Sequence, residues 1–235
     1  MSSNFTFSLP HFSAMLRGMK NYTLYLFLLV LLGLALPLSA HASDTAPQAA
    51  TLSLQEKHDI RRIELYLNKL KSVSADFLQM NDTGSMRHGR IAIKRPGKMR
   101  VTYDPPSEDF LVADGSFLHM WDGELAQQTS VPINEGIASL ILRDHIELSN
   151  KDLIVTRFVR YPAKIEVDLV AKETPEEGEL TLVFTDKPLR LRQWRVLDQQ
   201  GSTTGINLEN TQEDVDFPDG TFTFVSPKFG KSTRN

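Results

Sequence analysis

The 235-residue sequence contains no cysteine. This absence excludes disulfide bonds, thiolate metal sites, a cysteine nucleophile and a lipid attached to a cysteine of the chain itself. The histidines after residue 42 form no His-x-x-x-His pair, and the sequence has neither a Gly-x-Ser-x-Gly motif nor a phosphate-binding glycine loop. The sequence therefore predicts neither an enzyme nor a site for a metal or another cofactor.

Long apolar runs are also scarce, and the one that is present lies near the N-terminus, from Leu24 to Leu36. Arg17 and Lys20 precede it, and Ala40-His41-Ala42 follows it as a small-residue cleavage signal. The run is shorter than the roughly 20 residues that a membrane span needs. This pattern is typical of a secretory signal peptide, to which we assign residues 1–42.

Residues 43–235 contain no further apolar run of membrane-spanning length, which favours a single exported domain with ample residues for a core. The formal net charge of the whole chain is −3, and leaving out Arg17 and Lys20 makes it −5. Such mild acidity gives no reason to expect nucleic acid or an anionic membrane surface as a partner.

An amphipathic helix is predicted to open this domain. Ser53-Leu54-Gln55-Glu56 fits a capping box, in which the serine and the glutamate each bond a free amide of the first turn. Apolar residues then recur at helical spacing to about Lys71, opposite a polar face. The apolar positions are Ile60, Ile63, Leu67 and Leu70. This stripe requires a sheet to pack against.

From Ser74 onward the apolar period changes from 3.6 to 2, which predicts strands. Eleven segments fit: Ser74–Met80, Gly89–Lys94, Met99–Tyr103, Asp109–Ala113, Ser116–Trp121, Glu124–Thr129, Leu153–Tyr161, Lys164–Ala171, Glu179–Thr185, Leu189–Leu197 and Thr203–Thr211. Dipeptides such as Asp114-Gly115 and Asp122-Gly123 separate them. Such turns favour hairpins, and hence an antiparallel meander.

A second helical segment is predicted at Pro132–Asp144. It is short and apolar around most of its circumference, so it needs cover from other structure. Two helices can cover only part of a curved sheet of about eleven strands. The sequence therefore predicts either a second domain, for which the chain is too short, or a cavity.

Arg95 stands out at the end of an apolar row. The Pro96-Gly97 turn joins two strands, and counting by twos places Arg95 on the same face as Ile91 and Ile93. Because a guanidinium is costly to desolvate, Arg95 either extends over the sheet edge into water or meets a specific partner. The residues alone leave both interpretations open.

Together these features resemble a known family. The motifs that carry the resemblance are Ser72–Phe77, Gly89–Pro96 with its Lys-Arg-Pro, Leu111–Gly115, Trp121-Asp122, Leu140-Ile141-Leu142, and Phe222-Thr223-Phe224 with Pro227. Their order and spacing are similar to those of the periplasmic outer-membrane lipoprotein carriers, the LolA family. The resemblance implies an α+β fold, an unclosed antiparallel β-barrel whose helices cover an apolar cavity.

The resemblance also implies residue roles. Arg95 matches the family arginine that closes the empty carrier by hydrogen bonding to the lid. The lid helix would contain Ile133, Ile137, Leu140, Ile141 and Leu142. The cavity that receives acyl chains would be lined by Leu67, Val73, Phe77, Ile91, Ile93, Met99, Val101, Tyr103, Phe110, Val112, Trp121, Leu182 and Phe184.

The implied function is that of a monomeric periplasmic chaperone. It would take lipoproteins from an inner-membrane ABC transporter that releases them and pass them to an outer-membrane lipoprotein receptor. Shielding acyl chains requires a dry surface and a reversible cover but no catalytic group. Two alternatives remain: a carrier or sensor of another envelope lipid on the same fold, and an enzyme acting on lipids through His119 or His145.

Overall fold

The computed structural model describes residues 47–133, 137–149 and 152–227. One α-helix, α1 (Leu54–Lys69), precedes eleven strands. The strands are β1 (Ser72–Asn81), β2 (Met86–Lys94), β3 (Lys98–Tyr103), β4 (Phe110–Asp114), β5 (Phe117–Asp122), β6 (Gln127–Pro132), β7 (Leu153–Arg160), β8 (Lys164–Ala171), β9 (Glu179–Thr185), β10 (Arg190–Leu197) and β11 (Thr203–Glu213). The predicted signal peptide lies outside the described residues.

All eleven strands belong to one antiparallel sheet, in the order β6-β5-β4-β3-β2-β1-β11-β10-β9-β8-β7. Consecutive strands pair with each other from β1 to β6 and from β7 to β11. The pairing of β1 with β11 joins these two groups into one sheet. β6 and β7 lie at the two ends of the order and do not pair with each other. The fold is therefore an unclosed antiparallel β-barrel with a helix against it, as predicted.

Helix α1 begins as the capping box predicts. The Glu56 amide donates to the Ser53 hydroxyl over 3.3 Å, and the Ser53 amide donates to the Glu56 carboxylate over 2.8 Å. Ile60, Ile63 and Leu67 are buried against the sheet. Their burial, more than helix propensity, holds a helix of this length in place.

Several element bounds differ from the sequence prediction; for example, β2 begins at Met86, three residues earlier than Gly89. β6 begins at Gln127, three residues later than Glu124, because Asp122 accepts the Leu125 amide over 2.8 Å and Ala126 adopts a φ of 50°. The predicted second helix is a 3₁₀ helix over Ile137–Leu142. Short 3₁₀ turns suit a segment that depends on its surroundings for stability.

The sheet has an inner face toward α1 and an outer face. On the inner face Val101 pairs with Leu111, and Leu111 pairs with Met120. The prediction that Phe110, Val112 and Trp121 line the cavity is therefore wrong, because these three residues lie on the outer face. A change of one residue in register moves every side chain of a strand to the other face, and the β3–β4 loop sets that register.

The last described residues cover this part of the outer face. The Phe224 ring centroid lies 5.7 Å from that of Phe110 and 4.8 Å from that of His119. The outer apolar row of β4 and β5 is thereby shielded from water by the chain's own C-terminal segment. Among the described helices, none is both long and apolar enough to cross a membrane.

Candidate functional site: an apolar interior under a bonded cover

A small apolar cavity lies between α1, the 3₁₀ helix and the inner face of the sheet. Its volume is about 40 Å³. The lining residues come from five strands and both covering elements: Tyr66, Leu67, Leu70, Val73, Ile93, Arg95, Leu140, Ile141, Ile146, Leu182, Leu191, Trp194, Leu208 and Thr211. The inner face is therefore nearly filled by the protein's own side chains.

The structure brings together some of the residues predicted for the site. Four predicted cavity residues, Leu67, Val73, Ile93 and Leu182, line the cavity. Others belong to the surrounding core without lining it: Phe77, Ile91, Met99, Val101, Tyr103 and Phe184. Of the predicted lid residues, Leu140 and Ile141 line the cavity, Leu142 is buried, Ile133 packs against the core, and Ile137 begins the 3₁₀ helix.

Arg95 meets a specific partner rather than water. Its Nε donates to the Leu70 carbonyl over 2.9 Å, and its Nη2 donates to the carbonyls of Leu67 and Leu70. Nη1 donates to the Arg143 carbonyl over 3.5 Å. The last carbonyls of a helix lack partners within the helix and carry its negative dipole end, so a guanidinium satisfies both needs.

Burial of Arg95 is almost complete, since its relative exposure is 8%. Desolvation lowers the pKa of its guanidinium, and the nearby Asp144 carboxylate partly opposes that shift. The group stays charged, because an arginine in a protein does not deprotonate. Each bond to a carbonyl is thus charge-assisted and stronger than a neutral one.

The segment 137–149 is bonded both to α1 and to the rim of the sheet. The Asn68 amide group donates to the Ile146 carbonyl over 2.7 Å and accepts the Ile146 amide over 2.8 Å. Glu64 accepts the Leu148 amide over 2.8 Å, and the Gly97 amide donates to the Leu142 carbonyl over 2.9 Å. The cover is therefore one bonded assembly of α1 and residues 137–149, which we call the lid.

A cluster of charges holds the other half of α1. Asp59, fully buried, accepts from Arg160 and, over 2.7 Å, from Arg62. Arg160 and Arg62 also bond Asp186, over 2.8 Å and 3.2 Å. Burial alone would raise the pKa of Asp59, but the hydrogen bonds from Arg160, Arg62 and Gln55 outweigh it and hold that pKa below its ordinary value.

The interior becomes polar at the end of β3 away from Arg95. The Tyr103 hydroxyl donates to Gln79 over 2.7 Å, and the Arg87 guanidinium lies 3.7 Å from the Tyr103 ring centroid. Asp109 pairs with Arg87. Desolvation raises the pKa of Tyr103 to about 12. The apolar interior thus ends in polar contacts here, whereas bonded carbonyls of the lid close the Arg95 end.

Sequence reasoning missed half of the cavity wall. Tyr66, Leu70, Ile146, Leu191, Trp194, Leu208 and Thr211 line the cavity although they were not predicted to do so. A bulge between Leu191 and Gln193 places Leu191 and Trp194 on the same face. The break in alternation at Trp194 was the available signal, because a bulge adds one residue to a strand and reverses its faces.

The β4–β5 turn provides a test by pH. Asp114 accepts the Phe117 amide over 2.9 Å and the Ser116 amide over 2.8 Å. The hydrogen bond from the Phe117 amide has the largest effect on the pKa of Asp114. Together with the Ser116 amide and His119, it lowers that pKa from 3.8 to about 2. A lowered folded-state pKa stabilises the fold above the unfolded pKa, and this stabilisation is lost as pH falls toward 2.

We therefore expect Asp114→Asn to reduce the free energy of unfolding by about 1 kcal/mol at pH 7, a value discounted because the side chain is partly exposed. The difference should shrink as pH falls toward 2, since the wild-type carboxyl group is about half protonated at its folded-state pKa of about 2. Urea unfolding at a series of pH values measures both. A difference that stayed constant down to pH 2 would contradict a charge-based contribution.

An open antiparallel sheet with an apolar interior under a bonded lid defines the class: an unclosed barrel with a closable apolar site. The sequence model described as "Outer membrane lipoprotein carrier protein LolA" matches residues 68–225. The chain belongs to this family of outer-membrane lipoprotein carriers.

Relatives of the chain carry the same name. An outer-membrane lipoprotein carrier protein of Pseudomonas putida (strain W619) is 28% identical over 202 residues, covering 77% of this chain and 89% of the relative. One of Legionella pneumophila (strain Paris) is 29% identical over 171 residues, covering 69% and 83%. A solved LolA superfamily protein from Nitrosomonas europaea superposes with a TM-score of 0.40 at 10% identity, covering 70% of this chain and 97% of that one.

Proposed function

We propose that this protein is a periplasmic chaperone that binds the acyl chains of outer-membrane lipoproteins between its sheet and its lid. It receives them after their release from the inner membrane and delivers them to the outer membrane. An inner-membrane ABC transporter would supply the cargo, and an outer-membrane receptor would accept it. Family membership and the names of the relatives support this proposal.

One observation carries the proposal: the apolar interior is closed by hydrogen bonds rather than by packing alone. Sites for drug-sized ligands occupy about 300–1,000 Å³, whereas the present cavity is about 40 Å³. An acyl chain can enter only if the lid moves away from the sheet. The bonds of Arg95 to Leu67 and Leu70 would break in that movement.

The site supports reversible binding better than permanent burial. Each methylene group that leaves water contributes about 0.8 kcal/mol, so an acyl chain in a fully apolar pocket would be released very slowly. Bonds that form again when the lid closes subtract from that affinity. The proposed function is therefore the transfer of acyl chains, and no group on the inner face needs to act as an acid, a base or a nucleophile.

A direct test uses the purified protein and a synthetic lipopeptide that carries the acylated N-terminus of a lipoprotein. We expect the lipopeptide to displace a hydrophobic fluorophore from the folded protein and to raise its melting temperature. The same peptide without acyl chains is the matched control and should do neither. Failure of the acylated peptide to bind a cooperatively folded sample would reject the proposal.

Hydrogen exchange should locate the movement. On loading with the lipopeptide, the Gly97 amide should lose protection, because its bond to the Leu142 carbonyl joins the sheet rim to the lid. Residues 137–149 should also exchange faster once they leave the sheet. β8, whose inner residues are fully packed, should change little. Equal changes in both segments, or none in either, would show that this segment does not move as a lid.

A further inference from the structure

The side of α1 that points away from the sheet takes no part in the closed site. At about 100° per residue, Leu54, Arg61 and Leu65 project within about 20° of one direction. Lys57, His58 and Lys69 project within about 60° of it. Asn68 projects in the same range but is bonded to Ile146. We call the other six residues the outward face, and all six are exposed.

Two leucines on this face are unusually open to water. Leu54 is 86% exposed and Leu65 is 73% exposed. Single exposed leucines are normal on protein surfaces. Here, however, the two lie on one line along the helix, three turns apart, with Arg61 between them. Together they give the lid an apolar edge that the described chain leaves uncovered.

The outward face carries charge of one sign only. The acidic residues of α1 are used elsewhere: Glu56 in the capping box, Asp59 in the buried cluster and Glu64 at the Leu148 amide. Across residues 47–133, 137–149 and 152–227, no carboxylate lies within ion-pair distance of Lys57, Arg61 or Lys69. A chain of net charge −3 thus has a cationic stripe on its lid.

We propose that the outward face docks the protein on an anionic phospholipid surface. Leu54 and Leu65 would enter the headgroup region, while Lys57, Arg61 and Lys69 would lie against lipid phosphates. Interleaved cations and leucines on one helix face are typical of helices that lie in the plane of a membrane surface. The overall acidity of the chain hides this feature, because acidic residues elsewhere outweigh it.

The spacing of the leucines favours a bilayer over an acidic protein. Leu54 and Leu65 are about 16 Å apart along the axis with Arg61 between them, so they form no continuous apolar patch. A stable protein interface buries roughly 800 Å² on each partner around a continuous apolar centre. A lipid surface does not require a continuous apolar centre, because fluid lipids can rearrange around isolated side chains.

The outward face ends beside the Arg95 turn. Just beyond Lys69, the Lys71 carbonyl accepts the Arg95 amide over 2.8 Å. Docking would therefore bring the closing bonds of the lid next to the lipid surface. The docking surface itself does not depend on the cargo being a lipoprotein.

The test is co-sedimentation with vesicles, using processed protein purified from the periplasm so that an uncleaved signal peptide does not contribute. Vesicles of phosphatidylglycerol with phosphatidylcholine should bind the protein, whereas vesicles of phosphatidylcholine alone should not, and salt should weaken the binding. Each cation near an anionic surface contributes about fivefold in binding. Lys57→Glu with Arg61→Glu should therefore weaken binding more than about 20-fold.

A second variant and a control separate the contributions. Leu54→Gln with Leu65→Gln should also weaken vesicle binding, and Arg192→Glu with Met86→Gln, which changes exposed residues outside the outward face, should not. All variants should bind the acylated lipopeptide like the wild type, so failure here is distinct from failure of the proposed carrier function. The proposal would be overturned by equal binding to both vesicle types, by no vesicle binding, or by wild-type binding of both face variants. If no vesicles are bound, an acidic protein is the next partner to test.

Discussion

Replacing Arg95 with leucine is expected to lengthen retention of bound lipoprotein at least about tenfold and to slow its delivery to the same extent. In the empty protein the guanidinium satisfies carbonyls of Leu67, Leu70 and Arg143. A charge-assisted bond contributes about 1.5–3 kcal/mol, and 1.4 kcal/mol corresponds to tenfold in an equilibrium. Without these bonds, less of the binding free energy is spent on opening the lid.

The measurement is single-turnover transfer of one labelled lipoprotein from the loaded protein to acceptor liposomes or outer-membrane vesicles. Arg95→Lys should be intermediate, since lysine keeps the charge but loses the planar fork. Arg192→Leu removes an exposed arginine outside the lid and is the matched control. Transfer by Arg95→Leu at the wild-type rate, with wild-type retention, would mean that the Arg95 bonds only cap the helix.

Asp59→Ala is expected to lower the free energy of unfolding by about 3 kcal/mol. Loss of one partner from a buried ion pair costs about 3–5 kcal/mol, because the other charge remains unsatisfied. We expect a loss at the lower end of this range, because Arg62 and Arg160 are 32% and 36% exposed. Both arginines also keep their ion pairs with Asp186. The change also frees α1 from β7 at the end opposite Arg95, so the empty lid should exchange amide hydrogens faster.

Asp76→Ala is the comparison, because its ion pair with Arg90 spans 3.6 Å between side chains that are 47% and 83% exposed. The substitution also removes an exposed hydrogen bond from Asn210 to Asp76. Exposed pairs contribute about 0–1 kcal/mol, and we expect a loss in that range. Urea unfolding at neutral pH measures both variants, with an unchanged dependence on urea as the sign of two-state behaviour. Equal losses in the two variants would contradict an anchoring role for the Asp59 cluster.

Local patterns predicted much of this fold. The capping box placed the start of α1 at the observed residue, and alternation with hairpin dipeptides predicted all eleven strands and their antiparallel pairing. The face of Arg95 also followed from counting by twos from Ile91 and Ile93. These features depend on residues that are only a few positions apart in the chain, so they can be predicted from the sequence alone.

Features set by distant segments could not be predicted in the same way. The sequence showed that β4 and β5 are apolar on both faces, but not that Phe224 folds back to cover the outer one. Similarly, Glu166 and Asp168 alternate with apolar residues as solvent-facing positions would, yet both are buried on the outer face by ion pairs with Arg157. Both outcomes depend on contacts between strands, whose register the loops decide.

The central claim, that acylated lipoproteins are the natural cargo of this interior, is tested most directly by native mass spectrometry of the protein purified from periplasmic extract. We expect a population whose added mass equals that of one mature triacylated lipoprotein. This population should be enriched in Arg95→Leu, because a less stable closed state competes less with bound cargo. A protein that instead carries only free phospholipid or glycolipid, in the wild type and in Arg95→Leu alike, would contradict the account and identify a carrier of another envelope lipid.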